Sequence, residues 1–400
     1  MKLKFRYKNF ISLKKKSILY FGLVLIIIKT FLSISQIFPY SDNLEKVLTI
    51  SSSIFLSIYI LFQNYSLRTL LVYIIITFFI GYISYNVGNF SLFLSLLIIF
   101  SIRRENLNDV IRFLYDFELF LFLIQFIAVI ITSFKGYFYF FIIGGITRYS
   151  LGFIHPNSLA LYYLNLLSMW IWLNYERIDI THEIVIVIIT TLVYALCRTR
   201  TLLVEVAFLI FFLSFRRNTL KRIQDKIIFF SKFSFPFIAI IFYFVISNFS
   251  YTNTLLVTFD QILSGRIKLS AYALTFKGLS IFGQNLQDFN AIWDSYWQIN
   301  RFAFDSLYGT LLINYGIIII CLFSIIFFKL AKYNDIKISI FILLFSFFGV
   351  SEVQGINCIA YFPLILSMLL FDNNYKTYKK GNILIKNSQL RVSFIFQQRK

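Results

Sequence analysis

Charge is scarce in this chain. Only 14% of its 400 residues are Asp, Glu, Lys or Arg, whereas 59% are hydrophobic and 20% aromatic. No soluble domain buries that fraction, so the composition, with a mean hydropathy of +0.77, excludes a soluble globular protein and implies a polytopic membrane protein. Cysteine is scarcer. Cys197, Cys321 and Cys358 stand singly in or beside apolar stretches, which excludes a disulfide framework and a cysteine metal spacing. There are only two histidines, His155 and His182, and they fall on loops at opposite sides of the membrane, so no histidine metal site forms between them. Also missing are an Asp-x-Asp pair for a metal-bound nucleotide sugar, a Gly-rich phosphate loop and a Gly-x-Ser-x-Gly elbow. The formal charge of +20 does not imply nucleic acid, because much of it flanks apolar runs or sits in the two tails, where topology and anionic lipid require it.

What is present is a series of apolar segments, at 17–37, 47–62, 69–85, 90–102, 113–133, 158–175, 183–197, 201–215, 233–248, 307–328, 338–350 and 358–371. The first comes after a basic segment without a small-residue cleavage site and reads as a retained span. The expected fold is all-α, with about 12 transmembrane helices in one domain over 1–371 and a basic cytoplasmic tail at 372–400. With both termini in the cytoplasm, inside regions carry 28 Lys/Arg and outside regions nine, as the positive-inside rule demands. One extracytoplasmic loop, 249–306, is far longer than the rest. Its aromatics from Trp293 to Phe304 and its Gly278 and Gly283 predict that it is folded.

The outside basic residues run against the charge trend, and polar groups at the edge of a span are costly to keep. A polar island, Arg148-Tyr-Ser-Leu-Gly-Phe-Ile-His155-Pro-Asn157, precedes the sixth segment. Its plainer reading is a loop in which Asn157 caps the next helix and Arg148 snorkels to lipid phosphate. Arg198 and Arg200 form the tip of a hairpin between two segments of about 15 residues, each reaching ~22 Å against a ~30 Å hydrocarbon core. The tip is therefore expected to be recessed, with Glu205 as the arginines' ion-pair partner, whether structural or functional. Arg266 opens part of the long loop and Glu352 sits on the last outside turn. Asp116 and Glu118 read as partners within the bundle, and His182, beside Asp179 and Glu183, as solvated surface.

The island Arg-Tyr-Ser-Leu-Gly-Phe-x-His-Pro-Asn before a span resembles the signature of Wzy-type polysaccharide polymerases, relatives of the O-antigen ligases. Three further features match that pattern in order: Thr199-Arg200-Thr201, Leu-Ser-Gly-Arg266 with Phe282-Gly283 after it, and Glu352. Cys197 departs from it, standing where Ser is common. The resemblance implies an enzyme of the bacterial cytoplasmic membrane that needs no cofactor. It would join undecaprenyl-pyrophosphate-linked oligosaccharide repeats at the outer face, beside a flippase and a chain-length regulator. That chemistry needs donors for a departing pyrophosphate and a base for an acceptor hydroxyl. Arg148, Arg200 and Arg266, with Arg198 next, suit the first task because guanidinium stays charged and binds phosphate bidentately. His155 is the first choice of base and Glu352 the second. Asn157 would orient His155 or bind a sugar hydroxyl, and Trp293, Tyr296 and Trp297 would stack on sugar rings or anchor at the interface. The rival readings are a flippase or transporter of the same lipid-linked oligosaccharide, which lacks support from any half-to-half repeat, and a ligase that moves the finished glycan to another acceptor.

Overall fold

The computed structural model describes residues 2–371 apart from 64, 66, 144, 216–220, 287–296 and 298–303. The described residues are mostly helical, and an apolar sequence leaves few alternatives, since a backbone in hydrocarbon must satisfy its own polar groups. Helices α1 (Lys2–Leu32), α2 (Asp42–Leu61), α3 (Leu67–Val87), α4 (Ser91–Ile102) and α5 (Leu107–Phe134) precede a pair of short strands. After it come α6 (Pro156–Asn174), α7 (Ile180–Cys197), α8 (Arg200–Ser214) and α9 (Lys221–Ser247). Polar residues between the apolar runs supply the helix starts. Ser41, Asn106, Asp179 and Asp335 each accept an amide hydrogen bond at an N-terminus. Among the described residues, five helices are long and apolar enough to cross a membrane: Asp42–Leu61, Thr69–Val87, Leu107–Phe134, Ile180–Cys197 and Lys221–Ser247. Several shorter apolar helices accompany them, and the architecture is compatible with a helical membrane protein.

The tenth and twelfth apolar segments differ from the continuous α-helices expected. The tenth starts as α12 (Leu307–Gly309), winds into a π-helix over Thr310–Tyr315, stops at Gly316 and resumes as α13 (Ile317–Ala331). Gly316 has φ 96°, and a Cβ there would collide with the backbone of Ile281. The chain before it explains the break. Gln284 N–H donates to Asn314 O (2.8 Å) and Ile317 N–H to Ser280 O (2.9 Å), so residues 280–284 of the long loop satisfy the backbone that the interruption frees. The twelfth segment is a 3-10 helix, Phe362–Leu370, after α14 (Ile336–Ser351). Asn165 of α6 clamps its approach, donating to Ile359 O (2.8 Å) and accepting from Phe362 N–H (2.9 Å).

The core is aromatic where α9, α13 and α14 pack together. Phe235, Phe327 and Phe345 bring ring centroids to 5.3 Å (Phe235–Phe327) and 4.8 Å (Phe327–Phe345). Two short strands that the sequence did not suggest pair antiparallel, β1 (Phe140–Ile143) with β2 (Ile146–Tyr149), Phe141 standing opposite Arg148. Within the long loop, α10 (Thr254–Ile262) and α11 (Arg266–Lys277) show it to be folded in its described part. Helix α7 begins three residues earlier than expected and its 18 residues reach about 27 Å. The recess argument therefore keeps its force for the 15-residue α8 and loses most of it for α7.

Candidate active site

Four stretches remote in sequence meet at one end of the bundle. The first is the island at 148–157. Leu151 and Gly152 take left-handed backbone (φ 47° and 77°), and a Cβ on Gly152 would run into Ile37 and Gln125. This turn is tied to the end of α1 by Gln36 N–H donating to Gly152 O (2.7 Å) and Ile154 N–H to Ile34 O (2.9 Å). Phe153, fully buried, packs its ring 5.5 Å from that of Tyr162. The Ser-Leu-Gly-Phe part of the island is thus an anchor that holds His155 and Asn157 at the head of α6.

His155 itself departs from expectation. It is the N-cap of α6, accepting from Asn157 N–H at Nδ1 (3.1 Å), with Pro156 at the first helical position. Asn157 is therefore not the cap. The bond also sets the tautomer: an Nδ1 lone pair engaged by an amide leaves the ring proton on Nε2. Burial holds the His155 pKa below its ordinary 6.5, Arg148 lowers it further and Asp305 opposes both. The ring is then neutral near pH 7 and offers a donor at Nε2. In this arrangement the lone pair of His155 is engaged by the α6 amide, which favours the ring as a donor over the role of base expected from the sequence.

The second stretch is the α7–α8 turn. Arg198 closes α7 in the left-handed region (φ 53°), its N–H donating to Tyr194 O at 2.7 Å. It is the threonines on either side of Arg200 that make the hydrogen bonds to the other stretches. Thr199 Oγ1 donates to Asn157 Oδ1 (3.0 Å), and Thr201 Oγ1 donates to Glu352 Oε1 (3.4 Å). Arg198 and Arg200 are exposed and form no ion pair among the described residues. Glu205, expected to pair with them, instead accepts from Ser351 Oγ at 3.1 Å.

The third and fourth stretches supply the charged centre. Ser264 and Gly265 both turn left-handed (φ 58° and 87°) and set Arg266 at the start of α11. Its guanidinium donates to Leu263 O (3.0 Å) and, through Nη2, to Glu352 Oε1 (3.0 Å). Both side chains are at least 93% buried. Glu352 sits just past α14, where burial pushes its pKa up to about 8 against the pull of Arg266. Arg266 and Thr201 share Glu352 Oε1, which leaves Oε2 outside both bonds. Asp305, exposed and beside the start of the broken tenth span, is within electrostatic reach of both His155 and Glu352.

The site is also incompletely satisfied. Arg148 Nε, Arg266 Nε and Glu205 Oε2 are buried without a hydrogen-bond partner among the described residues. Each such group costs about 1–3 kcal/mol. Natural structures keep few of these, and a polar substrate is one means of satisfying them.

Of the residues singled out in sequence, the structure brings together His155, Asn157, Arg266 and Glu352, with Arg148 beside His155. Trp297 is buried among Phe249 (6.0 Å, stacked), Tyr251 and Tyr272, which is core packing rather than a platform for a sugar. Trp293 and Tyr296 lie outside the described residues, as does the tail 372–400. Asp116 is exposed rather than paired in the bundle, whereas Glu118 is buried and accepts from Asn165 Nδ2 at 2.9 Å. Thr199, Thr201, Ser351 and Asp305 were not foreseen as members. The matched Thr-Arg-Thr motif was the sequence signal for the two threonines, and Ser351 and Asp305 carried none. Compared with known proteins, the chain matches no family model, no curated sequence and no solved structure.

Proposed function

We propose that this protein is a membrane-embedded glycosyltransferase that polymerises lipid-linked oligosaccharide repeats, with its active site at the junction of His155, Thr199, Arg266 and Glu352. One observation carries the reading. Four motifs that the sequence resemblance selects independently, spread over some two hundred residues, are joined by hydrogen bonds from Thr199 to Asn157 and from Thr201 and Arg266 to Glu352. Ordinary packing gives no reason for that coincidence. The proposed topology has about 12 spans with both termini in the cytoplasm, which puts this end of the bundle at the outer face of a bacterial cytoplasmic membrane.

The reaction requires the acceptor hydroxyl oxygen to attack the anomeric carbon of the growing glycan. The bond from that carbon to undecaprenyl pyrophosphate breaks, and the hydroxyl proton passes to a base. Glu352 takes the base role through Oε2, its pKa raised toward the working range. His155, neutral and protonated at Nε2, donates to a sugar or phosphate oxygen. Arg148, Arg200 and Arg198, exposed or half-buried and without an acidic partner among the described residues, receive the departing pyrophosphate. Arg266 holds Glu352 in place and supplies positive charge beside the reacting centre.

Profiling lipid-linked saccharides in a deletion strain tests this. Single repeats accessible at the outer face should accumulate while polymer disappears. Repeats trapped at the inner face would instead assign the flippase reading, and lipid-linked polymer of normal length would assign the ligase. The topology has its own test. In a cysteine-free background, an impermeant thiol reagent applied to intact cells should label cysteines at Ser264 and Asn285 but not at Asn218. The reverse pattern would remove the site from the outer face.

A further inference from the structure

A cavity of about 850 Å³ lies away from the candidate site, between α3, α4, α13 and the last 3-10 helix. Its walls are aliphatic and aromatic apart from Ser95, Ser367, Tyr333, Lys329 and Lys332. The hydroxyls are committed within the protein: Ser95 donates to Ile356 O (2.8 Å), Ser367 to Leu364 O (2.8 Å) and Tyr333 to Leu369 O (2.7 Å). The ammonium groups are not. Lys329 and Lys332 are exposed, Lys332 lies 4.6 Å over the Phe328 ring, and neither forms a salt bridge among the described residues. No acidic side chain among the described residues lines the cavity.

Its shape is that of one leaflet. Along α13 the lining runs from Leu322 to Lys332, ten residues or about 15 Å, half of the ~30 Å hydrocarbon core. The apolar walls occupy this length and both lysines stand at its end, as acyl chains below an anionic headgroup require. The volume falls in the roughly 300–1,000 Å³ range of ligand clefts. Helices α13 and α14 run antiparallel through the turn at 332–335. The lysines are thus separated from Glu352 by the 16 residues of α14, about 24 Å. The cleft therefore faces the leaflet opposite the candidate site.

We infer that this cleft is a binding site for an anionic phospholipid, its acyl chains between α3 and α13 and its phosphate on Lys329 and Lys332. The chain's own continuation is a poor occupant. Residues 372–400 start beside Phe371 in the wall, but they carry seven Lys/Arg against one acid, Asp372, and would bring positive charge to two lysines.

Native mass spectrometry of the full-length detergent-purified protein, titrated with phosphatidylglycerol or phosphatidylcholine of the same acyl chains, tests the inference. Wild type should retain a tightly bound phosphatidylglycerol in preference to phosphatidylcholine. The Lys329→Gln/Lys332→Gln variant should lose that preference by about 30-fold. Ile326→Trp, which fills the cleft, should lose the bound lipid of either kind. Lys46→Gln, on a different part of the bundle, should change nothing, and all variants should keep the wild-type melting profile. A lysine double variant that keeps the full preference would overturn the inference, as would undiminished binding in Ile326→Trp. So would stronger phosphatidylglycerol binding on truncation after Phe371, because the tail would then be the occupant.

Discussion

Two arginines in this protein are equally hidden, Arg103 at 4% exposure and Arg266 at 5%, and the groups described around them differ. Arg103, at the end of α4, has a glutamine and two tyrosines among its partners. Its Nε donates to Gln63 Oε1 (2.7 Å), its Nη1 to Tyr73 OH (3.2 Å), and it lies 4.0 Å over the Tyr65 ring. Arg266 faces a buried carboxylate, sits near a second one at Glu205, and leaves Nε without a partner among the described residues. Burial alone therefore does not mark function here. Arg103 closes a polar helix end with aromatic rings and an amide. Arg266 belongs to an unfinished network, in which Glu352, Glu205, the hydroxyls of Thr201 and Ser351 and an unsatisfied guanidinium nitrogen come together.

The widest separation between the two should come from alanine. Arg266→Ala strands Glu352 in a buried site, and breaking such a pair costs about 3–5 kcal/mol. Polymer should vanish and the thermal midpoint should fall. Arg103→Ala removes, among its contacts, the cation–π contact with Tyr65 and the hydrogen bonds to Gln63 and Tyr73, which contribute about 1–3 kcal/mol, so less protein should reach the membrane while polymer per folded molecule stays near wild type. Equal loss of specific activity in both variants would erase the distinction between them.

A smaller effect is expected at the threonine bridge. Thr199→Val keeps the shape but removes the bond to Asn157, a net contribution of about 0.5–1.5 kcal/mol. Turnover should fall up to about tenfold with little change in stability. Thr199→Ser should restore it.

The smallest effect belongs to His155. Because Nδ1 caps α6, the neutral ring is the working form. Its pKa is depressed below 6.5, so the neutral ring persists below pH 6.5 and its contribution to stability declines as pH falls through the lower folded value. His155→Gln, which keeps a donor and an acceptor, should retain activity within a few-fold and lose that acid limb in both rate and melting temperature. His155→Ala should fall further. If His155→Gln lost about 10²–10⁴-fold without unfolding, histidine would return as the base.

Much of the bundle was legible in the sequence, because each apolar run overlaps a helix and many of the polar gaps supply a cap. The features that escaped had local causes that a pattern of apolar residues does not carry. The break at Gly316 depends on residues 280–284 pressing against it, and the twelfth segment's 3-10 winding goes with the Asn165 clamp. In the site, residue types were readable but pairings were not. Glu205 lies near Arg200 and Arg198 in sequence and invited a pairing with them, yet both arginines stay exposed while Glu205 accepts from Ser351. Histidine chemistry suggested a base, and only the bond from Asn157 N–H to Nδ1 reveals a donor. The threonines were hidden by the arginines they flank.

The central claim is that the carboxyl of Glu352 does chemistry while its neighbours position it. The direct measurement reconstitutes wild type, Glu352→Gln and Arg103→Ala into vesicles with undecaprenyl-pyrophosphate-linked repeats and resolves the products by chain length. Gln keeps an oxygen for Arg266, so the fold should survive, which a melting curve on the same vesicles checks. Wild type and Arg103→Ala should build a ladder per mole of folded protein. Glu352→Gln should bind the repeats and extend them about 10²–10⁴-fold more slowly, as loss of a general base requires. A ladder from Glu352→Gln that grows at the wild-type rate would contradict that claim.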